Sequence, residues 1–138
     1  MHRLLLCVLL LLLPPLALAA PQYELVDLGT ELRLVALEPG GAALGQIGLQ
    51  AAVIRRGQAP QLLPFLADGL FATARAGRDG KIVGESGTGR SSLETHAALW
   101  QGATVRDLGT LGGPELFSSA TALTATQMVL SQFLFEAF

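Results

Sequence analysis

The sequence predicts an all-β protein of short antiparallel hairpins, grouped into four-stranded repeat units behind an apolar N-terminal segment. Three observations carry this. All 16 glycines fall after residue 20, a density that calls for many tight turns. The tetrapeptide Asp27-Leu28-Gly29-Thr30 returns unchanged at Asp107-Leu108-Gly109-Thr110. Lys81-Ile82-Val83-Gly84-Glu85 is short, β-branched and bounded by glycine, and it follows Asp79-Gly80, a strong hairpin-turn signal.

The first element is an export signal with an expected helix. Met1-His2-Arg3 is a short basic start, Leu4 to Leu13 is apolar apart from Cys7, Pro14-Pro15 ends any helix, and Ala17-Leu18-Ala19 is the small-x-small pattern that signal peptidase reads. An apolar run of about 10 residues is half of what a bilayer span needs. Cleavage is expected after Ala19, with Ala20 as the next position, leaving 20–138 as the β-repeat domain. The alternatives are an uncleaved anchor, or a lipoprotein held through Cys7, which precedes most of the apolar run instead of following it. Cleavage removes the single cysteine, so the remaining chain enters a disulfide-permissive compartment without a thiol. It also removes Arg3, leaving eight basic against eleven acidic side chains, a net charge of −3. That balance argues against nucleic acid or an anionic membrane as partner. No membrane span is expected after cleavage.

The chain also resembles itself at intermediate points. Leu62-Leu63-Pro64-Phe65-Leu66-Ala67-Asp68-Gly69 is a worn copy of the Asp107 motif, setting Leu63 on Leu108 and Leu66 on Leu111. Gly80-Lys81-Ile82-Val83-Gly84 matches Gly41-Ala42-Ala43-Leu44-Gly45, and also Gln127-Met128-Val129-Leu130-Ser131. Ala97-Ala98-Leu99-Trp100 matches the stretch from Ala51, with His96 set on Gln50 and Trp100 on Arg55. Three repeats follow, over 27–61, 62–106 and 107–138, with starts about 35 to 45 residues apart and the last one cut short. Within the second, Leu70 to Gly77 and Lys81 to Ser86 form the expected hairpin. Gly87 to Ser92 is a polar loop, Thr95 to Trp100 the third strand, Gln101-Gly102 a turn, and Thr104 to Leu108 the fourth strand. Four short strands per unit of about 45 residues is the grammar of a propeller blade, and two to three blades make an incomplete ring.

The string Gly80-Lys81-Ile82-Val83-Gly84-Glu85-Ser86, then His96-Ala97-Ala98-Leu99-Trp100-Gln101-Gly102, then Asp107-Leu108-Gly109-Thr110-Leu111-Gly112-Gly113 resembles the HAF repeat, an extracellular bacterial repeat named for a His-Ala-Phe triplet. Ala98 stands where that family has Phe. Glu38, Gly77 and Thr124 stand where it has Asn before the hairpin turn. The likeness is good over Leu70 to Leu123 and faint over Tyr23 to Pro64. It implies an exported β-repeat protein, part of a surface or secreted assembly, and assigns Gly80, Gly84, His96, Trp100 and Asp107 to Gly113 to the structural motif. It implies no activity.

Two residues are candidate ligand contacts. His96 is suited to binding or acid–base work, or to a structural hydrogen bond, which Gln50 in the first repeat could also make. Trp100 could stack a sugar ring if exposed, or pack between repeats. Leu108 to Gly113 lacks the Lys-Ser/Thr of a phosphate loop. Ser86, Ser91 and Ser92 lie near Glu94 and His96, but no Gly-x-Ser-x-Gly elbow is present. Asp79 and Glu85 flank the hairpin turn and could offer oxygens to calcium, though one His and scattered acids make a thin metal set. The tail Phe133-Leu134-Phe135-Glu136-Ala137-Phe138 breaks the alternation of an outer-membrane strand.

No catalytic residue, cofactor or metal is therefore expected. The favoured expectation is a surface or secreted interaction module whose partners are copies of itself, other repeat-containing chains, a surface glycan or a protein. The alternatives are a carbohydrate-binding or hydrolytic protein using Glu85, Glu94 and Glu115, or a truncated remnant without independent function.

Overall fold

The computed structural model describes residues 25, 27–90, 94–110 and 117–132. The export segment, Ser91, Ser92, Leu111 to Gly113, Glu115 and the Phe133–Phe138 tail lie outside the described residues. The described residues form ten strands and no helix. They are β1 (Leu32–Leu37), β2 (Ala43–Ile47), β3 (Gln50–Ile54), β4 (Gln61–Leu62), β5 (Ala72–Arg78), β6 (Lys81–Gly87), β7 (Thr95–Gln101), β8 (Thr104–Asp107), β9 (Ser118–Leu123) and β10 (Met128–Gln132). β1 to β4 make one antiparallel meander, sheet I; β5 to β8 make a second, sheet II; β9 and β10 pair as sheet III.

Turn chemistry sets the β5–β6 hairpin. Arg78 pairs with Lys81 across Asp79-Gly80, whose φ values are 53° and 76°. Both central residues of a type I′ turn need positive φ, which Asp tolerates and Gly adopts freely. β5, β6 and β7 each end one residue past the expected limit, β5 begins at Ala72 instead of Leu70, and β8 ends at Asp107, one residue short of Leu108. The fourth strands close at Leu62 and Asp107, one residue past the repeat limits at 61 and 106.

The sheets repeat down to an irregularity. In sheet I the register slips between Leu34 and Ala36, in sheet II between Ala74 and Ala76, and in sheet III opposite Val129 and Leu130. Each slip is a one-residue β-bulge on the first strand, with Val35, Arg75 and Thr121 as the extra residues. Beside the first two, the chains come so close that a Cβ on Gly45 would overlap the Arg33 carbonyl oxygen, and one on Gly84 the Thr73 carbonyl oxygen. These bulges fix structural equivalence and correct two sequence matches. Val129 pairs with Ala122 as Val83 pairs with Ala76, so Met128, not Val129, takes the place of Ile82. Ala52 pairs with Gly45 as Ala98 pairs with Gly84, so the counterpart of Trp100 is Ile54, not Arg55, which lies past the end of β3.

The sheets stack face to face through small side chains. Leu44 and Val53 of sheet I form one buried cluster with Ile82, Ala98 and Trp100 of sheet II. The opposite face of sheet II, Val83, Ala97 and Leu99, forms a second cluster with Ala120 of sheet III, and Met128 packs against it. Sheet II thus offers one face to sheet I and the other to sheet III. The linker from Leu63 to Phe71 is tied in as well: Trp100 Nε1 donates to the Pro64 carbonyl at 2.7 Å, and the Leu66 amide to Ser86 Oγ at 3.0 Å.

Gly84→Ala should lower unfolding stability by about 1–3 kcal/mol, because the methyl group meets backbone that has no room to move. Gly40→Ala, whose added Cβ meets open space, should change it by no more than about 0.5 kcal/mol. Urea unfolding of the two variants beside the parent checks the contrast.

Candidate functional site

His96 stands near the start of β7 and faces two carboxylates. Its Nδ1 lies 2.9 and 3.0 Å from the two oxygens of Asp107, and its Nε2 3.2 Å from Glu94 Oε1. Strand register explains the meeting. Ala98 pairs with Asp107, so Asp107 lies diagonally across from His96 and within side-chain reach. Glu94 is two residues before His96, on the same side of an extended chain. The ring and Glu94 are buried, whereas the Asp107 side chain is 45% exposed. Arg90 approaches Glu94 at 3.4 Å from the solvent side. A doubly protonated ring donates to both carboxylates; a neutral ring donates to one.

The cluster continues into backbone and toward sheet III. Asp107 Oδ1 accepts the Gly109 amide at 2.6 Å, the Gly109 carbonyl accepts Ser118 Oγ at 2.6 Å, and Ser118 Oγ accepts the Ala97 amide at 2.8 Å. Glu94, His96, Asp107, Gly109, Ser118 and Ala97 form one chain of hydrogen bonds that joins β7, β8 and β9. In sheet I the equivalent work falls to Gln50, whose Nε2 donates to the Leu63 carbonyl at 2.9 Å. The Asx turn recurs too, with the Gly29 amide donating to Asp27 Oδ1 at 2.8 Å. A position filled by His in one sheet and Gln in another, with a backbone or carboxylate acceptor in both, serves the strand ends.

The other candidates are placed as follows. Trp100 is fully buried between sheets I and II, so its indole offers no face to a sugar ring; it packs between the sheets. Ser86 Oγ is occupied by Leu66 and Gly87 and makes no bond to His96. Glu85 pairs with Arg75 at 2.6 Å instead of joining Glu94. Gly80 and Gly84 serve the turn and the bulge, and Asp107, Leu108 and Gly109 the end of sheet II. Thr110 follows them and closes the described part of the motif. Among the described residues, no group of three or more His, Cys, Asp or Glu side chains is arranged to hold a metal ion, Asp79 and Glu85 included. Ser118 was not singled out from sequence; its serine neighbours carry no motif, and only the sheet II–III contact brings its hydroxyl to Ala97 and Gly109.

Comparison with protein-family models, with curated proteins and with solved structures returns no match to this chain.

Replacing His96 with Ala leaves buried Glu94 without its ring partner and should cost about 1–3 kcal/mol of stability. His96→Gln, which copies the residue of sheet I, should recover at least half of that loss. Thermal unfolding of both variants would show it, and equal losses in the two would refute the equivalence with Gln50.

Proposed function

We propose that the chain is an exported β-repeat module whose work is to present and join β-sheets, as an interaction or scaffold element at a cell surface or in a secreted assembly. Its sheets follow one another as propeller blades do, and its motifs resemble those of HAF repeats. The observation that carries this reading is the shared use of one contact: the sheet I–II interface and the sheet II–III interface are built from equivalent positions. The residue types that most suggest chemistry support it. Trp100 is spent on packing, and His96 on a hydrogen-bond chain between sheets. Export is supported by the order of basic, apolar, breaker and small-x-small residues over Arg3 to Ala19.

Cell fractionation with intact-mass measurement tests the proposal. The expected result is a chain beginning at Ala20 in the envelope or culture fluid. A chain kept in the cytoplasm with residues 1–19 attached would overturn the export part. Glycan hydrolysis by the parent that Glu94→Gln abolishes would overturn the scaffold part and make the molecule a hydrolase.

A further inference from the structure

We infer that the chain joins a second copy of itself head to tail, the face of sheet I that no described sheet covers in one copy seating the corresponding open face of sheet III in the other. This rests on the sheet-joining role proposed above and names the partner that role leaves open.

At the positions beside the bulges, exposure follows whether a described sheet lies alongside, although Ala43 and Ala52 in the middle of the sheet I face are 2% and 0% exposed. Leu34, Ala74 and Ala120 flank the three bulges at one place in the register. Ala74 and Ala120, each with a sheet before it, are 0% exposed; Leu34, in the first sheet, is 49% exposed. The other face mirrors this. Leu44 and Val83, each with a sheet after it, are 0% exposed; their equivalent Val129, in the last sheet, is 51% exposed. Among the described residues, the chain therefore carries both halves of a contact it already makes twice, with Leu34 on one outer face and Val129 on the other left exposed.

The residues before β1 strengthen the case. Asp27-Leu28-Gly29 repeats the Asx turn that follows β8 at Asp107, so this segment has the form of the end of a preceding sheet. Leu63 and Leu108, whose amides donate to equivalent carbonyls on Ala51 and Ala97, pack into the contacts after sheets I and II. Leu28 instead lines an open groove of about 790 Å³ over sheet I, with Leu34, Leu37, Ala43 and Ile54. The groove occupies the place where a sheet would precede sheet I, and it is already furnished with that sheet's closing leucine. In a second copy, Val129 and Ala122 of sheet III present the side that elsewhere packs against this kind of face.

Such a contact uses two different surfaces, so it is heterologous and either closes into a ring or continues as a filament. Two copies bring four four-stranded and two two-stranded sheets among the described residues, against the 4 to 8 four-stranded blades of closed propellers. Closure would also cover both bare faces at once.

Sedimentation velocity on the full chain, purified as the producing cell processes it, tests the inference at micromolar concentration. The parent should self-associate. Leu34→Glu with Leu37→Glu on sheet I, or Val129→Glu on sheet III, should each weaken association on the order of tenfold or more by burying a carboxylate against apolar surface. Leu70→Glu, at an exposed linker site outside both faces, should leave it unchanged. Mixing the sheet I variant with the sheet III variant should restore a heterodimer, because each keeps the face the other lacks. Circular dichroism and thermal unfolding establish that every variant is folded. A folded parent that stays monomeric overturns the inference and leaves the export and hydrolysis assays to judge the broader role. Association that survives Val129→Glu but not the sheet I variant, or a mixture that stays monomeric, also overturns it in favour of no head-to-tail contact.

Discussion

Sheets made largely of alanine, glycine and short aliphatic residues bury useful area only when they lie close and in register. Everything else in this molecule depends on that close stacking. At Gly77 of sheet II a Cβ would run into Glu38 and Leu44 on the sheet I side, whereas at Gly45 and Gly84 the tight approach is between the first two strands of one sheet, beside the bulge. The close sheet contact is what lets Leu44 and Val53 pack with Ile82 and Trp100, at an apolar gain of roughly 25 cal/mol per Å² buried. With no disulfide among the described residues to share the work, the sheet contact and its tying hydrogen bonds hold the chain together.

The polar residues make sense as parts of that stacking. Trp100 fills the gap between sheets I and II and sends its N–H back to the linker at Pro64. His96 sits where β7 begins, bridges Glu94 and Asp107, and through Asp107, Gly109 and Ser118 reaches sheet III. Burying a histidine between two carboxylates is tolerated because each buried polar atom finds a partner there. Sheet I uses an uncharged amide for the same place, and one hydrogen bond suffices because Leu63 presents its carbonyl directly. The scaffold therefore explains the presence of these side chains without assigning them a reaction.

Much of the fold was legible before any coordinates. Asp79-Gly80 specified a hairpin because few residue pairs accept positive φ twice in succession. The repeated Asp-Leu-Gly-Thr marked the end of a sheet because its aspartate caps its own glycine amide. Alignment went wrong by one residue where a bulge or a longer turn intervened. Spacing along the chain matches Trp100 to Arg55, because it carries no mark that β3 ends at Ile54 and that the extra residue belongs to the following turn. The same spacing matches Val129 to Ile82, one residue too far along, because sheet III has Leu130 where the other sheets place a glycine and so lacks the landmark. The site was half legible: His96 and Asp107 stood out as motif residues, whereas Ser118 has no local signature.

The sequence by itself determined the all-β class, the four-strand unit, the turn positions and the identity of the repeating motif. Those depend on local backbone preference and on spacing along the chain, which a string of residues carries in full. Only the tertiary structure decided which face of each sheet is covered, that Trp100 is sealed instead of displayed, that His96 answers to two carboxylates, and that Leu34 and Val129 are left bare at the two ends of the stack. Those depend on which sheet lies against which, and strand alternation supplies two faces without saying what will lie over either one.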